Sequence, residues 1–200
     1  MKAGLLPGLA LFVAGCAALP PLVPQVPWDE RRARLLSLEQ WQARGRIAVK
    51  SATGGGQGDL QWRQAGAVSD IRVSGPFGAG VYQIRWEPDR LTVRSRDGEF
   101  SRAYDGADAA EQFLAEQLGW SFPAASVRYW VLGVLDPTFA GAERFAANGG
   151  LAGIEQNGWS VTYDRFNEAA GVPMPAKLTL RNDRARVRLV IDRWELAIQP

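Results

Sequence analysis

Between residues 46 and 104 apolar and polar positions alternate with a period of two, the mark of half-buried strands. Ile47 and Val49 share one side of a strand over 46–50, and Leu60 and Trp62 share one side of a strand over 59–64. Runs of the same kind follow at 69–73, 81–86, 91–96 and 99–104, the last two joined at Asp97-Gly98, a strong hairpin signal. Six strands in succession with short turns predict an antiparallel sheet. Tyr82, Ile84 and Trp86 fall on one side of their strand, while Arg94 and Arg96 point to solvent from the next, so the sheet has one apolar face. The glycine-rich stretch 53–58 leads into the second of these strands. Its Gly54-Gly55-Gly56 run is no phosphate loop, because it lacks a following Gly-Lys-Ser/Thr and lies between strands instead of before a helix.

Elsewhere the period is that of helices. Residues 28–43 read as a helix, with Asp29 and Glu30 at its positive end, Leu35, Leu38 and Trp41 along one side, and Gly45 to end it. Asp108 and Glu111 resemble a capping box, and Ala110, Phe113, Leu114 and Leu118 form an apolar stripe closed by Gly119. Pro123 opens a further helix in which Val127, Trp130, Val131 and Val134 repeat the pattern. No clear pattern marks 136–150. Strands resume at 151–156, 159–166, 176–181 and 186–195, with Val187, Leu189 and Ile191 on one face. A long sheet with an apolar face, and helices with matching faces to cover it, makes either a filled core or a lined cavity. Trp62, Tyr82, Ile84, Trp86, Trp130 and Leu189 are the side chains that parity and helical spacing aim at that interior, as cavity lining or as plain core.

The N-terminal segment changes the picture. Lys2 precedes a short apolar run from Ala3 to Val13, interrupted by Pro7 and Gly8. That run is too short for a membrane span, which needs about 20 apolar residues. It closes on Val13-Ala14-Gly15-Cys16, which holds the single cysteine of the chain and resembles the lipobox of a bacterial lipoprotein signal. The expected organisation is therefore a signal peptide over 1–15, a lipidated Cys16 with a tether over 16–27, and one domain over 28–200. Pro20, Pro21, Pro24 and Pro27 favour an extended tether. At about 3.1 Å per residue it holds the domain roughly 30 Å from its anchor. Ala17 in place of aspartate after the lipidated cysteine favours the outer membrane under the enterobacterial sorting rule.

Composition narrows the chemistry. The formal net charge of +2 suggests no nucleic-acid partner. The chain has no histidine, which removes the commonest general base and metal ligand. With Cys16 acylated there is no disulfide. Catalysis by carboxylates alone remains open, but Asp89, Asp97, Asp105, Asp108 and Asp183 all sit beside turn signals and read as turns and caps. The expectation is a protein that is no enzyme and holds no metal or cofactor beyond the lipid on Cys16.

Several short motifs, in this order, resemble the LolB family of outer-membrane lipoprotein receptors. They are the lipobox, Trp41 with Arg44-Gly45-Arg46, Trp62-Arg63-Gln64, the turn Gly75-Pro76-Phe77-Gly78, Trp130-Val131-Leu132-Gly133, Pro173-Met174-Pro175-Ala176, and Asp192-Arg193-Trp194. The chain departs from the family pattern at Val134, where a proline is expected, and at Phe77, where leucine is usual. The resemblance implies a mainly β fold, an unclosed antiparallel β-barrel of about eleven strands with a helical lid over an apolar cavity. It implies a monomeric acceptor, lipid-anchored on the periplasmic face of the outer membrane. Such an acceptor takes acylated lipoproteins from the periplasmic carrier LolA and inserts them among the membrane phospholipids. Pro76, Phe77 and Gly78 would then form a protruding turn that engages the membrane. Pro76 fixes the turn entry and Gly78 and Gly80 leave no side chains nearby to bury against, so Phe77 is expected at a tip, where it forgoes burial worth roughly 2 kcal/mol unless it finds apolar surroundings elsewhere. The competing readings are Phe77 folded back as core and, for the whole chain, a structural lipoprotein of an outer-membrane assembly complex with a packed interior. A cell-wall hydrolase comes last.

Overall fold

The computed structural model describes residues 27–52, 54–75, 80–118 and 122–197. Cys16, Pro76, Phe77 and Gly78 lie outside the described residues. A short helix, α1 (Trp28–Leu36), precedes six strands: β1 (Gln40–Ser51), β2 (Gly54–Ala65), β3 (Val68–Ser74), β4 (Val81–Glu87), β5 (Arg90–Ser95) and β6 (Ser101–Asp105). Two helices, α2 (Ala109–Leu118) and α3 (Ala124–Trp130), lead to β7 (Gly141–Phe145), β8 (Leu151–Gln156), β9 (Trp159–Ala169), β10 (Val172–Arg181) and β11 (Ala185–Leu196). The strands form one 11-stranded sheet in the order β6-β5-β4-β3-β2-β1-β11-β10-β9-β8-β7.

Every neighbour in that order is also a sequence neighbour except β1 and β11. The sheet is therefore two meanders stitched along β1 and β11, which pair from Trp41↔Leu196 to Ser51↔Ala185. The outer strands β6 and β7 are not joined, so the half-barrel stays open. Turn chemistry sets the hairpins. Asn157 and Gly158, at φ 53 and 74, make a two-residue loop between β8 and β9, where both central residues need a left-handed backbone. The stitch has its own demand for glycine: a Cβ at Gly45 would lie 1.9 Å from the Val190 carbonyl oxygen, at the point where the β1–β11 register shifts.

The first helix is shorter than its apolar spacing predicts. It ends at Leu36, and Trp41 belongs to β1, where Trp41 and Ala43 are buried and Arg44 is exposed. The Leu35, Leu38, Trp41 stripe fits a helix, but pairing of Trp41 with Leu196 and Gln64 on either side supplies backbone partners that a lengthened helix would forfeit. Three other expectations shift. The glycine run is strand rather than lead-in, its 54–58 backbone laddered to 47–51 of β1. The unpatterned stretch 136–150 contains β7, an edge strand with an alternation too weak to read. α3 stops at Trp130, and Val131 to Val134 continue as turns, all buried.

The interior is dense at one end. Leu35, Trp130, Ile154, Met174, Leu178 and Leu180 are fully buried between α1, α3 and the strands β8–β11. A buried polar cluster locks the connection from α3 to β7. The Trp130 Nε1 donates to Gln156 Oε1 at 2.8 Å, and Gln156 Nε2 donates to the carbonyls of Asp136 and Phe139 at 2.9 and 2.8 Å. Ser126 Oγ donates to Asp136 Oδ2 at 2.8 Å. Each of these buried groups has its partner, so the cluster fixes one packing without leaving an orphan. At the other end a smaller core of Leu91, Val93, Ala109, Ala110, Phe113 and Ala124 holds α2 against β5 and β6.

Candidate functional site

Between these two cores the sheet and helices do not meet, and a cavity of about 770 Å³ opens on the concave face. Pairing puts Ala43, Trp62, Ile71, Ile84 and Val93 in one inward row across five strands. A second row runs Val73, Tyr82 and Ser95. Phe113 and Leu114 of α2 and Val127 of α3 face them from the helical side, with Leu189 and Val187 of β11 at the back. The volume falls in the range of ligand pockets, about 300–1,000 Å³.

Among the described residues no carboxylate, lysine or arginine side chain lines the cavity; Ser51, Gln57, Tyr82 and Gln117 bring uncharged polar groups to its wall. An ionised ligand buried there would lose its hydration with no counter-charge in return, at a cost that excludes it. An aliphatic chain loses nothing and gains roughly 0.8 kcal/mol per methylene withdrawn from water. The indole N–H of Trp62 is kept out of this balance. Trp62 Nε1 donates to the buried Gln64 Oε1 at 3.2 Å, and Ser69 Oγ donates to the same oxygen at 2.6 Å. Gln64 thus absorbs the polarity of Trp62 and leaves its ring to serve as apolar wall, packed against Trp41 at 5.2 Å between centroids with the rings tilted by 53°.

The lid is tied at its edge. Tyr104 of β6 packs on Phe113 at 5.7 Å and donates its hydroxyl to Glu116 Oε2 at 2.6 Å, a bond to a carboxylate that holds the phenol above its usual pKa. Glu111, expected as part of a capping box, instead accepts from the Ala125 backbone N–H at 3.4 Å and bridges α2 to α3.

Of the six side chains predicted to face the interior, Trp62, Tyr82, Ile84, Trp86 and Leu189 border the cavity. Trp130 does not. It is wholly buried in the packed end with its Nε1 on Gln156 of β8, whereas Val127, one turn earlier on α3, borders the cavity. Tyr82 is 43% exposed, an unusual position for a large side chain on an inward row, and it stands at the open edge of the cavity. Sequence reasoning missed Gly54, Gly55, Gly56 and Gly58, which border the cavity through backbone alone. The signal was there in an alternating strand whose inward positions 54, 56 and 58 carry no side chain. Gly75 and Gly80, joined by a backbone hydrogen bond of 3.1 Å, also border the cavity.

Of the carboxylates expected in turns, Asp89, Asp97 and Asp108 lie there, while Asp105 is the last residue of β6. Asp97 accepts from the Ser95 hydroxyl and the Glu99 N–H, which hold it below the usual carboxylate range, and Asp105 pairs with Arg90 at 3.1 Å. Among the described residues no acidic or cysteine cluster could hold a metal ion.

Comparison with known proteins agrees with this geometry. The family model described as "Outer membrane lipoprotein LolB" matches residues 39–194. The outer-membrane lipoprotein LolB of Stutzerimonas stutzeri is 32% identical over 202 residues, covering 98% of this chain and 96% of the relative. That of Nitrosococcus oceani is 33% identical over 191 residues, covering 93% of each. A putative outer membrane lipoprotein-sorting protein domain from Vibrio parahaemolyticus shares the fold at a TM-score of 0.51 and 8% identity, covering 86% of this chain and 91% of that one. The open eleven-stranded sheet, the lid and the match across 39–194 together place the chain in the LolB family of outer-membrane lipoproteins.

Proposed function

We propose that this protein is a membrane-anchored acceptor of acylated lipoproteins. Lipid on Cys16 holds it to the periplasmic face of the outer membrane, residues 16–27 act as tether, and residues 28–200 form the lipid-binding domain. It takes its cargo from a soluble periplasmic carrier of the LolA kind and releases it into the phospholipid of the outer membrane. The observation that carries the reading is the cavity: about 770 Å³, with no charged side chain among the described residues that line it, in a chain of the LolB family.

The physical case is one of partition. Exposing a single acyl chain of ordinary length to water costs on the order of 10 kcal/mol at roughly 0.8 kcal/mol per methylene. Cargo must therefore pass from one apolar interior to another. An acceptor need only bind the chains better than the carrier and less well than the bilayer, which requires no covalent step, cofactor or nucleotide. The competing reading, a structural lipoprotein with a packed interior, has no use for an unfilled cavity bordered by a strand of glycines.

Titration with a fluorescent fatty acid tests this. Saturable uptake should occur with a shift in tryptophan emission, since Trp62 and Trp86 border the cavity, and a lipoprotein presented by its carrier should displace the probe. Absence of uptake, with emission and melting temperature unchanged at saturating probe, would sink the acceptor reading.

A further inference from the structure

The strands that wall the cavity present a chemically opposite surface on their outer side. There the register sets Arg44 opposite Gln61, Gln61 opposite Arg72, Arg72 opposite Gln83, and Gln83 opposite Arg94. One row across five strands thus reads Arg-Gln-Arg-Gln-Arg. With neighbouring strands about 4.8 Å apart, arginines recur about every 10 Å along it. The adjacent row adds Arg63, Asp70 and Arg85. All of these line a shallow outer groove of about 490 Å³, in which Asp70 is the one acid among five arginines.

Local ion pairs neutralise only part of this charge. Arg85 is met by Asp70 at 3.1 Å and Glu87 at 3.2 Å, and Arg44 approaches Glu195 at 3.9 Å. Among the described residues Arg63, Arg72 and Arg94 have no ion pair. Like charges along one face of a sheet cost stability. The chain concentrates them here although its formal net charge is only +2.

We infer that this outer face of β1–β5 docks on the anionic phospholipid headgroups of a membrane surface. Guanidinium groups bind phosphate through paired N–H donors, and the interleaved glutamines add neutral donors without repulsion. The rows carry no projecting aromatic or aliphatic side chain, which the centre of a protein interface needs. The face also runs to the ends of β3 and β4 beside Gly75 and Gly80, which border the cavity, since Arg72 lies on β3 and Gln83 on β4. A bilayer lying against the arginines lies beside the cavity rim, where bound chains would leave. The inference rests on the membrane-anchored reading above, but not on what the cavity holds.

The test is flotation with vesicles, using the full chain carrying Cys16→Ala so that no lipid anchor supplies the attachment. Vesicles of equal parts phosphatidylethanolamine and phosphatidylglycerol should bind it, phosphatidylcholine alone far less, and high salt should release it. Arg72→Gln with Arg94→Gln should weaken binding roughly tenfold or more, as each basic residue near an anionic surface contributes appreciably. Arg186→Gln with Arg188→Gln removes as much charge from β11, outside the groove, and should leave binding nearly intact. Equal loss in both pairs would reduce the effect to net charge and overturn the assignment. So would equal binding to neutral vesicles, or wild-type vesicle binding by the Arg72/Arg94 variant with loss only of carrier docking, which would make the face a site for an acidic protein. Melting temperature reports folding; should the double variant melt early, Arg94→Glu alone, at an exposed position, decides the question. Fatty-acid uptake should be unchanged in all of these variants, which separates failure here from failure of the acceptor reading.

Discussion

The two ends of the interior share one sheet and one alternation, yet one is packed and the other hollow. Around Trp130, Ile154, Met174 and Leu178 nothing is accessible, and the polar cluster of Ser126, Asp136 and Gln156 pins the covering segment in place. Around Trp62, Ile71, Ile84 and Tyr82 the same inward parity meets no cover. α2 reaches β5 and β6 through the small Ala109 and Ala110 and through Phe113, and it stops short of β2 and β3. Opposite it, β2 brings Gly54, Gly56 and Gly58 to positions where side chains would fill the gap. An apolar face therefore does not itself make a core. What covers it decides, and here one half is packed while the other borders a cavity.

The contrast breaks most directly at Trp130. Trp130→Ala should cost about 3–5 kcal/mol, as a large ring leaves a site with no room to relax, whereas Tyr82→Ala should cost less than about 1 kcal/mol because Tyr82 is already half exposed. Denaturant unfolding measures both, and the order should invert for fatty-acid binding, where Tyr82→Ala loses more. Similar stability losses would mean that the two ends are not different. A gentler test fills the hollow end. Nothing lies within 4 Å of a Cβ built at Gly56, so Gly56→Phe should fold, with a melting temperature no lower than the parent's. It should also weaken probe binding roughly tenfold, about 1.4 kcal/mol. Gly58→Ala is its control: its Cβ would meet the Ser74 carbonyl oxygen at 2.3 Å, so stability should fall instead.

The smallest effect sharpens the packed end by pH. Tyr163, buried with its hydroxyl on the Trp130 carbonyl at 2.7 Å, is pushed well above its ordinary pKa by desolvation. Since the unfolded chain ionises near pH 10 and the folded chain does not, the unfolded state binds fewer protons above that pH and stability must fall as pH rises through it. Tyr163→Phe should cost about 1 kcal/mol at neutral pH and lose stability less steeply above pH 10. A parallel alkaline decline in both proteins would show that Tyr163 ionises freely in the fold.

Most of the architecture was legible because strands and turns are local. Period-two runs, Asp97-Gly98 and the helical stripe of Phe113 and Leu114 each declare themselves within a few residues, and they correctly marked one apolar face and the helices to cover it. Trp62, Ile84 and Leu189 reached the cavity wall on parity alone. Trp41 was misread because Leu35, Leu38 and Trp41 satisfy a helix, while its actual state depends on pairing with Leu196, far along the chain. Trp130 and Trp62 carry the same signal in sequence, each an aromatic on an apolar stripe. Their different fates follow from what lies over each: Trp130 is enclosed with its Nε1 on Gln156 of β8, whereas Trp62 borders the space that the helices leave open. The sequence by itself determined which side chains point inward, because alternation is a property of the backbone. Only the tertiary structure decided where inward means packed and where it means lining a cavity, because the gap between two covering helices depends on how distant segments meet.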